Sequence, residues 1–371
     1  MIKYLGSKRR LVPALGELAA ALGARTAVDL FTGTTRVAQE FKRRGLSVIA
    51  SDIASYSGVL SDCYIATDRD ALNPGELATA ISELTALPGR RGYVTTTFCE
   101  ESRFFHPKNG ARIDAMRDAI EERYRGSALY PVLLTALMLA ADKVDSTTGV
   151  QMAFLKQWAP RALKDLVLVA PTLLPGVGTT VLGDAAAVVS ALPPVDLMYL
   201  DPPYNQHRYF TNYHIWETLV RWDAPEHYGV ACKREDCRAG STKSDFNVKA
   251  LMPAALRDVI VRARAEMLVV SFSDEGWISA GELETWLGET GREEVTRLDF
   301  DSPRYVGARI GVFNPSGEKV GRVSHVRNTE HLFLAGPREA VNRAASAVRE
   351  RCRPDLRGSQ ALGEHQGELV L

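Results

Sequence analysis

The run Asp201-Pro202-Pro203-Tyr204 puts an acid, two prolines and an aromatic ring in four consecutive positions. Each part suits one chemistry. An exocyclic amine on a nucleobase is a poor nucleophile, because its lone pair is delocalised into the ring. Two acceptors around the NH2 group favour a pyramidal, more nucleophilic nitrogen. The Asp201 carboxylate offers one acceptor. The Pro202 carbonyl, held by the stiff Pro202-Pro203 pair, offers the other. Tyr204 offers a face on which a base can stack. A base in duplex DNA must leave its stack to reach such a pocket, at a cost of about a few kcal/mol. A proline-rich strand end is the plainer reading. The acids that close the neighbouring strands favour the chemical one.

Those acids follow a pattern. Asp29, Asp52, Asp184, Asp201 and Asp274 each lie at or just after an apolar run that reads as a buried strand. In open α/β sheets, ligands bind beyond the carboxyl ends of the strands. Aspartates also serve there as turn formers and helix caps, so each acid alone is weak evidence. The segment "DLFTGTTRVAQEF" follows the first of these runs, and Gly33 permits a tight turn. Asp52 comes nineteen residues after Gly33, near the roughly 20-residue spacing at which an acid reaches ribose hydroxyls. Thr35 stands where a second glycine of a dinucleotide-binding loop would be. A pyrophosphate is therefore disfavoured, and a nucleoside without phosphates, such as S-adenosylmethionine, fits better.

The elements that must position these residues form a strand–helix–strand opening: a helix over Arg9–Leu22, "TAVDLF", a helix over Arg36–Arg44, and "SVIASD". From about Ser55 to Pro171 the pattern is mostly helical, with "APRALKDLVLVA" as one helix and "GYVTTTF" as an isolated strand candidate. Strands resume with "TTVLGD", "VDLMYLD", "EMLVVSFSD", "EEVTRLDF" and "EHLFLAG". Helices are expected over Pro253–Ala265 and Ala280–Glu289, and Ser302–Asn328 reads as a long loop or hairpin. The expected fold class is α/β, a Rossmann-like seven-stranded sheet with a helical insertion. The expected organisation is a catalytic domain over 1–57 and 172–336, an insertion over 58–171, and a C-terminal helix and tail over 337–371.

Composition excludes little. Of 371 residues, 46% are apolar and 24% charged, ordinary values for a soluble globular protein. Lysine plus arginine equals aspartate plus glutamate at 45 each, so whole-chain charge gives no support for a polyanionic partner. No apolar run is long enough to span a bilayer, and the start "MIKYLGSKRR" lacks the apolar core of a signal peptide, so a cytoplasmic location is expected. Cys63, Cys99, Cys232, Cys237 and Cys352 are scattered and odd in number. They read as free thiols. The spacing of His227, Cys232 and Cys237 fits no standard zinc pattern, so no metal is expected.

Taken in order, "KYLGSK", "DLFTGTTRVA", "SDI", "LGDA" and "YLDPPYN" resemble the Dam-like, alpha-group adenine-N6 DNA methyltransferases, and "RYFTNYHIWETL" is similar to their restriction-modification members. The resemblance covers Lys3–Ser57 and Thr179–Phe272, and more weakly extends to Gly336. It implies S-adenosylmethionine as cofactor. Tyr4 and Lys8 then touch its methionine part, Asp29, Phe31 and Gly33 form the loop beneath, Asp52 holds the ribose, and Asp184 lies near the adenine. Asp201, with Pro202, Pro203 and Tyr204, is the catalytic motif, close to both cofactor and target amine. The departure is Thr35, where the family usually has glycine.

The resemblance implies a site-specific enzyme that methylates N6 of a flipped adenine in double-stranded DNA, in restriction-modification, phage defence or epigenetic marking. A cognate restriction endonuclease acting separately is a possible partner. It also implies that the helical insertion over 58–171 is the DNA target-recognition module, and gives the basic clusters a role: Arg103, His106, Lys108 and Arg112, then Lys233, Arg234 and Lys243, would face phosphates, and binding would weaken steeply with salt. The alternatives are a cytosine-N4 DNA or adenine RNA methyltransferase, and a catalytically silent DNA-binding relative. A nicotinamide dehydrogenase is disfavoured by the missing glycines and by the Asp201–Tyr204 motif.

Overall fold

A computed structural model describes residues 2–6, 8–147, 149–206, 208–303, 327–352 and 356. The strands are β1 (Thr26–Asp29), β2 (Ser47–Asp52), β3 (Thr179–Leu182), β4 (Val195–Leu200), β5 (His227–Tyr228), β6 (Lys233–Arg234), β7 (Ala265–Ser273), β8 (Glu294–Pro303) and β9 (Arg327–Gly336). Seven of them form one sheet in the order β3-β2-β1-β4-β7-β9-β8. The pairs β2–β3, β1–β4 and β4–β7 are parallel, and β9 runs antiparallel to both β7 and β8. The order reverses at β1 and β4, and the carboxyl ends of strands at such a switch point are where ligands bind in open α/β sheets. Strands β5 and β6 form a separate two-stranded hairpin.

The chain forms two compact units. The first comprises Met1–Ser7, Thr32–Ala185 and His207–Ser244; the second comprises Lys8–Phe31, Ala186–Gln206 and Asp245–Leu371. In the second unit, β4 and β7 are nearly continuous apolar runs, as expected of strands covered on both faces. Helix α1 (Val12–Leu22) starts with Pro13 in its first turn and stops at Gly23, a left-handed residue whose N–H reaches the carbonyls of Ala19 and Ala20. The expected extension of this helix back to Arg9 gives way to a turn.

In the first unit, α2 spans Arg36–Arg43, α3 Ser55–Ser61, α4 Pro74–Ala86, α5 Tyr93–Thr95, α6 Pro107–Tyr124 and α7 Tyr130–Lys143. Two expectations in this stretch fail. "GYVTTTF" is helical, not a strand, because the Asp114 carboxylate accepts the backbone N–H groups of Gly92, Val94 and Thr95 at 2.8–3.0 Å, the capping that a helix start needs. A wide turn over Thr96–Glu100 follows. "APRALKDLVLVA" makes only a short turn, Pro160–Leu163, and then runs irregularly. The buried Asn109 side chain takes its hydrogen bonds: Nδ2 donates to the carbonyls of Ala162 and Lys164, and Oδ1 accepts from Leu166 N–H. A polar anchor overrides the helical pattern there.

The helices expected over Pro253–Ala265 and Ala280–Glu289 occupy Met252–Arg262 and Ala280–Gly288, the second opened by a Ser279–Glu282 capping box. The C-terminal helix is Arg338–Arg351. Most of the Ser302–Asn328 segment, including Lys319, Arg322 and His325 of a further basic cluster, and most of the tail lie outside the described residues. Among the described residues, no helix is long and apolar enough to cross a membrane.

Candidate active site

In the second unit, β4 carries the buried run Leu197–Leu200 to Asp201, where two prolines end the ladder. Asp201 is placed by side chains. Its Oδ1 accepts from Ser271 Oγ at 3.0 Å and lies 3.0 Å from Lys8 Nζ. Because the Ser271 hydroxyl proton goes to Asp201, the Tyr199 hydroxyl must donate in turn to Ser271 Oγ, 2.7 Å away. Tyr199 and Ser271 sit on the adjacent strands β4 and β7, so the relay is fixed to the sheet. Lys8 Nζ also binds Glu330 Oε1 of β9 at 2.7 Å.

Burial pushes the Asp201 carboxyl up to about 6. The Lys8 ammonium holds it down against this, and the Glu330 carboxylate adds to the rise. For Lys8, burial works against the charge but its two carboxylates outweigh it, so its pKa lies well above the ordinary lysine value. Tyr204 packs edge-on to Phe272 at 6.2 Å, and the Lys8 ammonium lies 5.7 Å from its ring centre. The Tyr204 carbonyl accepts from Trp277 N–H at 3.3 Å, which fixes the backbone after the prolines. Also in this unit, Asp29 is buried at the end of β1, in register with Tyr199, and Phe31 meets Phe246 edge-on at 5.0 Å.

The first unit gathers a different set. Asp52 ends β2; its Oδ2 accepts from Gly33 N–H at 2.8 Å and its Oδ1 from Ala54 N–H at 3.0 Å. Burial raises its pKa, and these backbone donors oppose the rise. Gly33 has φ +50°, and a Cβ there would lie 3.1 Å from the Tyr4 ring. Tyr4 stacks on Tyr213 at 4.8 Å and Tyr209 at 5.2 Å, and its hydroxyl lies 3.3 Å from that of Tyr56. The Tyr213 hydroxyl accepts from Leu5 N–H at 2.6 Å, fastening the N-terminal segment. Glu217, buried on the helix His214–Arg221, accepts from Ser55 N–H at 2.7 Å and is pushed up to about 6 by burial. Asp184 is half-buried just after β3.

The structure sets Lys8 against Asp201 and Tyr204, and brings Tyr4 to Gly33 and Gly33 to Asp52. The sequence reading instead groups Lys8 with Tyr4 on the cofactor side, and it misses Ser271, Glu330, Tyr56, Tyr213 and Glu217. Ser271 left one faint signal: with Ser273 it is a polar residue alternating within an otherwise apolar strand. The candidate phosphate contacts divide. Arg103 and Lys108 are exposed: Arg103 lies over Trp158 and donates to the Lys156 carbonyl, and Lys108 pairs with Asp165 at 2.8 Å. Arg112 donates to the Thr85 carbonyl at 2.7 Å. Lys243 is exposed and Lys233 half-buried. Arg234 is buried, with its guanidinium taken by Asp223 and Asp236 at 2.6 and 2.8 Å, which gives it a structural task.

All five cysteines are buried thiols. Donor atoms of Glu101, His227 and Cys232 lie within 4.8 Å of one another, a set that could ligate a metal. The His227–Glu101 pair is also a complete hydrogen bond at 2.8 Å.

A family model for D12 class N6 adenine-specific DNA methyltransferases matches residues 4–284. The type II methyltransferase M.NlaIII of Neisseria lactamica is 32% identical over 317 residues, which are 81% of this chain and 91% of that protein. The type II methyltransferase M.CviAII of Paramecium bursaria Chlorella virus 1 is 26% identical, over 79% of this chain and 90% of its own. The modification methylase StsI of Streptococcus sanguinis is 28% identical over 78% of this chain, which spans 46% of that longer protein. A match over three quarters of the chain selects adenine, which the four motif residues alone leave open, and it implies a methyl donor of the S-adenosylmethionine type. The chain belongs to the D12 class of N6 adenine-specific DNA methyltransferases and is an enzyme that methylates DNA.

Proposed function

We propose that this enzyme binds S-adenosylmethionine through Tyr4, Gly33 and Asp52, and activates the N6 amine of a flipped adenine in double-stranded DNA through Asp201, Pro202 and Tyr204. The observation that carries the reading is the placement of Asp201. It is a buried strand-end carboxylate, oriented by a Tyr199–Ser271 hydrogen-bond relay and a lysine, and followed at once by two prolines and a ring. The donor set of the first unit suits such a cofactor. Asp52 keeps acceptor capacity beyond its backbone N–H partners. The tyrosine faces around Tyr4 favour a cationic ligand over a pyrophosphate. Gly33 lets the Tyr4 ring lie against the turn, where any side chain would crowd it. Asp29, Phe31 and Asp184 belong to the same assignment.

When bound, the cofactor supplies a methyl carbon on a sulfonium; the N6 lone pair forms the new C–N bond as the C–S pair returns to sulfur. Asp201 and the Pro202 carbonyl accept the amine hydrogens, localise the lone pair and stabilise the positive charge that grows on nitrogen. The Asp201 carboxylate is the group placed to take the proton that the methylated amine sheds. Pro203 holds the carbonyl geometry, and Tyr204 stacks on the base. Arg103, Lys108, Arg112, Lys233 and Lys243 remain the proposed phosphate contacts, while Arg234 braces their neighbourhood. Double-stranded DNA, a cytoplasmic setting and a separate cognate endonuclease complete the proposal.

Asp201→Ala is expected to lower single-turnover methylation by about 10³-fold or more while duplex binding persists. Turnover near wild type would overturn the assignment. Tyr204→Ala should cost far more rate than Tyr204→Phe, since stacking needs the ring and not the hydroxyl. Equal losses would remove the stacking role.

A further inference from the structure

The Lys8 ammonium holds two carboxylates, and only one of them belongs to the motif. Lys8 Nζ lies 3.0 Å from Asp201 Oδ1 and 2.7 Å from Glu330 Oε1, and the three side chains keep 10%, 18% and 12% of their exposure. Glu330 comes from β9, opposite Ser273 of β7 and Phe300 of β8. It lies beyond residues 4–284, which the family model matches. A lysine and one aspartate would make a neutral pair. Burying a second carboxylate beside them costs desolvation and like-charge repulsion, so stability alone does not account for it.

The geometry of this trio has a chemical consequence. A buried ammonium facing one carboxylate alone would satisfy that oxygen and reduce its strength as an acceptor. A second carboxylate bound to the same ammonium shares it. We propose that Glu330 is a positioning residue of the methyl transfer, drawing Lys8 partly away from Asp201 so that the Asp201 carboxylate keeps its acceptor strength for the target amine. The trio carries one positive and two negative charges. The surplus negative charge suits an amine that becomes cationic as it is methylated.

The proposal rests on the reading of Asp201 as the acceptor of the amine. The groups around Asp201 are Lys8, Glu330, Tyr199, Tyr204 and the Ser271 hydroxyl, with Asp29 acting on Tyr199 and Glu275 acting on Tyr204 from further out. Lys8 lowers the Asp201 pKa and Glu330 raises it, the two opposing effects that such sharing requires.

The test is the pH profile of single-turnover methylation by the full chain on duplex DNA at saturating donor, for wild type, Glu330→Gln, Glu330→Asp and Asp201→Ala. Glu330→Gln removes a negative charge near Asp201. The acid limb should therefore move to lower pH, by about one unit, while the plateau rate falls roughly tenfold, the scale of weakening one charge-assisted hydrogen bond. Glu330→Asp should restore most of the plateau rate and return the limb toward wild type. Should the Gln variant fail to fold, Glu330→Asp alone must still shift the limb downward, because its shorter side chain reaches Lys8 less well.

An unmoved acid limb with an unchanged plateau, or a loss of thermal stability alone, overturns the proposal for Glu330. Retained turnover in Asp201→Ala instead overturns the reading beneath it, so the two failures are distinct.

Discussion

Asp52 closes β2 and is held by backbone: Gly33 N–H and Ala54 N–H donate to its two oxygens. Asp201 closes β4 and is held by side chains, the Ser271 hydroxyl and the Lys8 ammonium, with Glu330 behind the lysine. Both acids are strand-end carboxylates whose pKa is raised by burial. The difference lies in what can retune them. A backbone-held acid is sensitive to the conformation of the loop that carries its donors, and it is indifferent to remote side chains. A side-chain-held acid answers to charges contributed from anywhere in the chain. The first arrangement fixes a shape, which suits the proposed cofactor site. The second sets a basicity, which suits the proposed amine-activating site.

The largest expected effect that separates the two comes from Lys8→Met. Removing the ammonium leaves Asp201 beside Glu330 with no cation between them. An opposite charge within about 4–6 Å lowers a carboxylate pKa by about 1–3 units. The sign follows directly. Asp201, already near 6 with Lys8 present, should titrate higher without it, so the acid limb of the methylation rate should move up by about 1–3 units. Activity near pH 7 should fall about twofold for a one-unit shift and close to a hundredfold for about three, and recover at alkaline pH. The same substitution should leave the acid limb of donor binding unmoved, if Asp52 sets that step. A parallel shift in both profiles would erase the contrast between the acids.

An intermediate effect is expected at Gly33, on the backbone-held side. Gly33→Ala places a side chain at φ +50°, which costs about 1–2 kcal/mol, and brings its Cβ to 3.1 Å from the Tyr4 ring. Either the loop or Tyr4 must give. The apparent KM for the methyl donor should rise about tenfold, the size of that strain, while the rate at saturating donor and the acid limb near pH 6 stay close to wild type. A fall in the saturated rate with an unchanged KM would show that the loop acts on the chemistry and not on donor binding.

What the sequence revealed follows the same division. Asp52 and Gly33 are nineteen residues apart, and their relation is local enough for spacing to disclose. Asp201 declared itself through its prolines. Its partners did not, because Glu330 lies 322 residues from Lys8 and Ser271 lies 70 from Asp201, and only the register of β4, β7 and β9 brings them in. The strands themselves were legible as apolar runs closed by acids. The misread helices had a single kind of cause. Asp114 and Asn109 are buried polar side chains that take over backbone hydrogen bonds of distant segments, and periodicity is blind to such partners.

Thr35 gives the smallest effect and the sharpest test of the shape-fixing loop. It occupies the position where the resembling family usually has glycine, and its backbone shows why: φ is +61° and ψ +15°, the left-handed region. Threonine stays there because its side chain is used. Oγ1 donates to the Thr34 carbonyl at 2.7 Å and accepts from Gln39 Nε2 at 2.8 Å, and the residue is fully buried. Thr35→Gly removes a strain of about 1–2 kcal/mol but also hydrogen bonds worth about 1 kcal/mol each and a buried methyl of about 0.8 kcal/mol. The losses outweigh the gain by about 1–2 kcal/mol, so the melting temperature should fall by only about 3 °C or less in a chain of this length. Thr35→Ala loses the same hydroxyl and keeps the strain. It should therefore be less stable than Thr35→Gly by about 1 kcal/mol, the reverse of the order expected at a position in the right-handed helical region. Finding the alanine variant as stable as the glycine variant, or more so, would mean that the loop relaxes freely at this position, and that Asp52 is not held by a rigid turn.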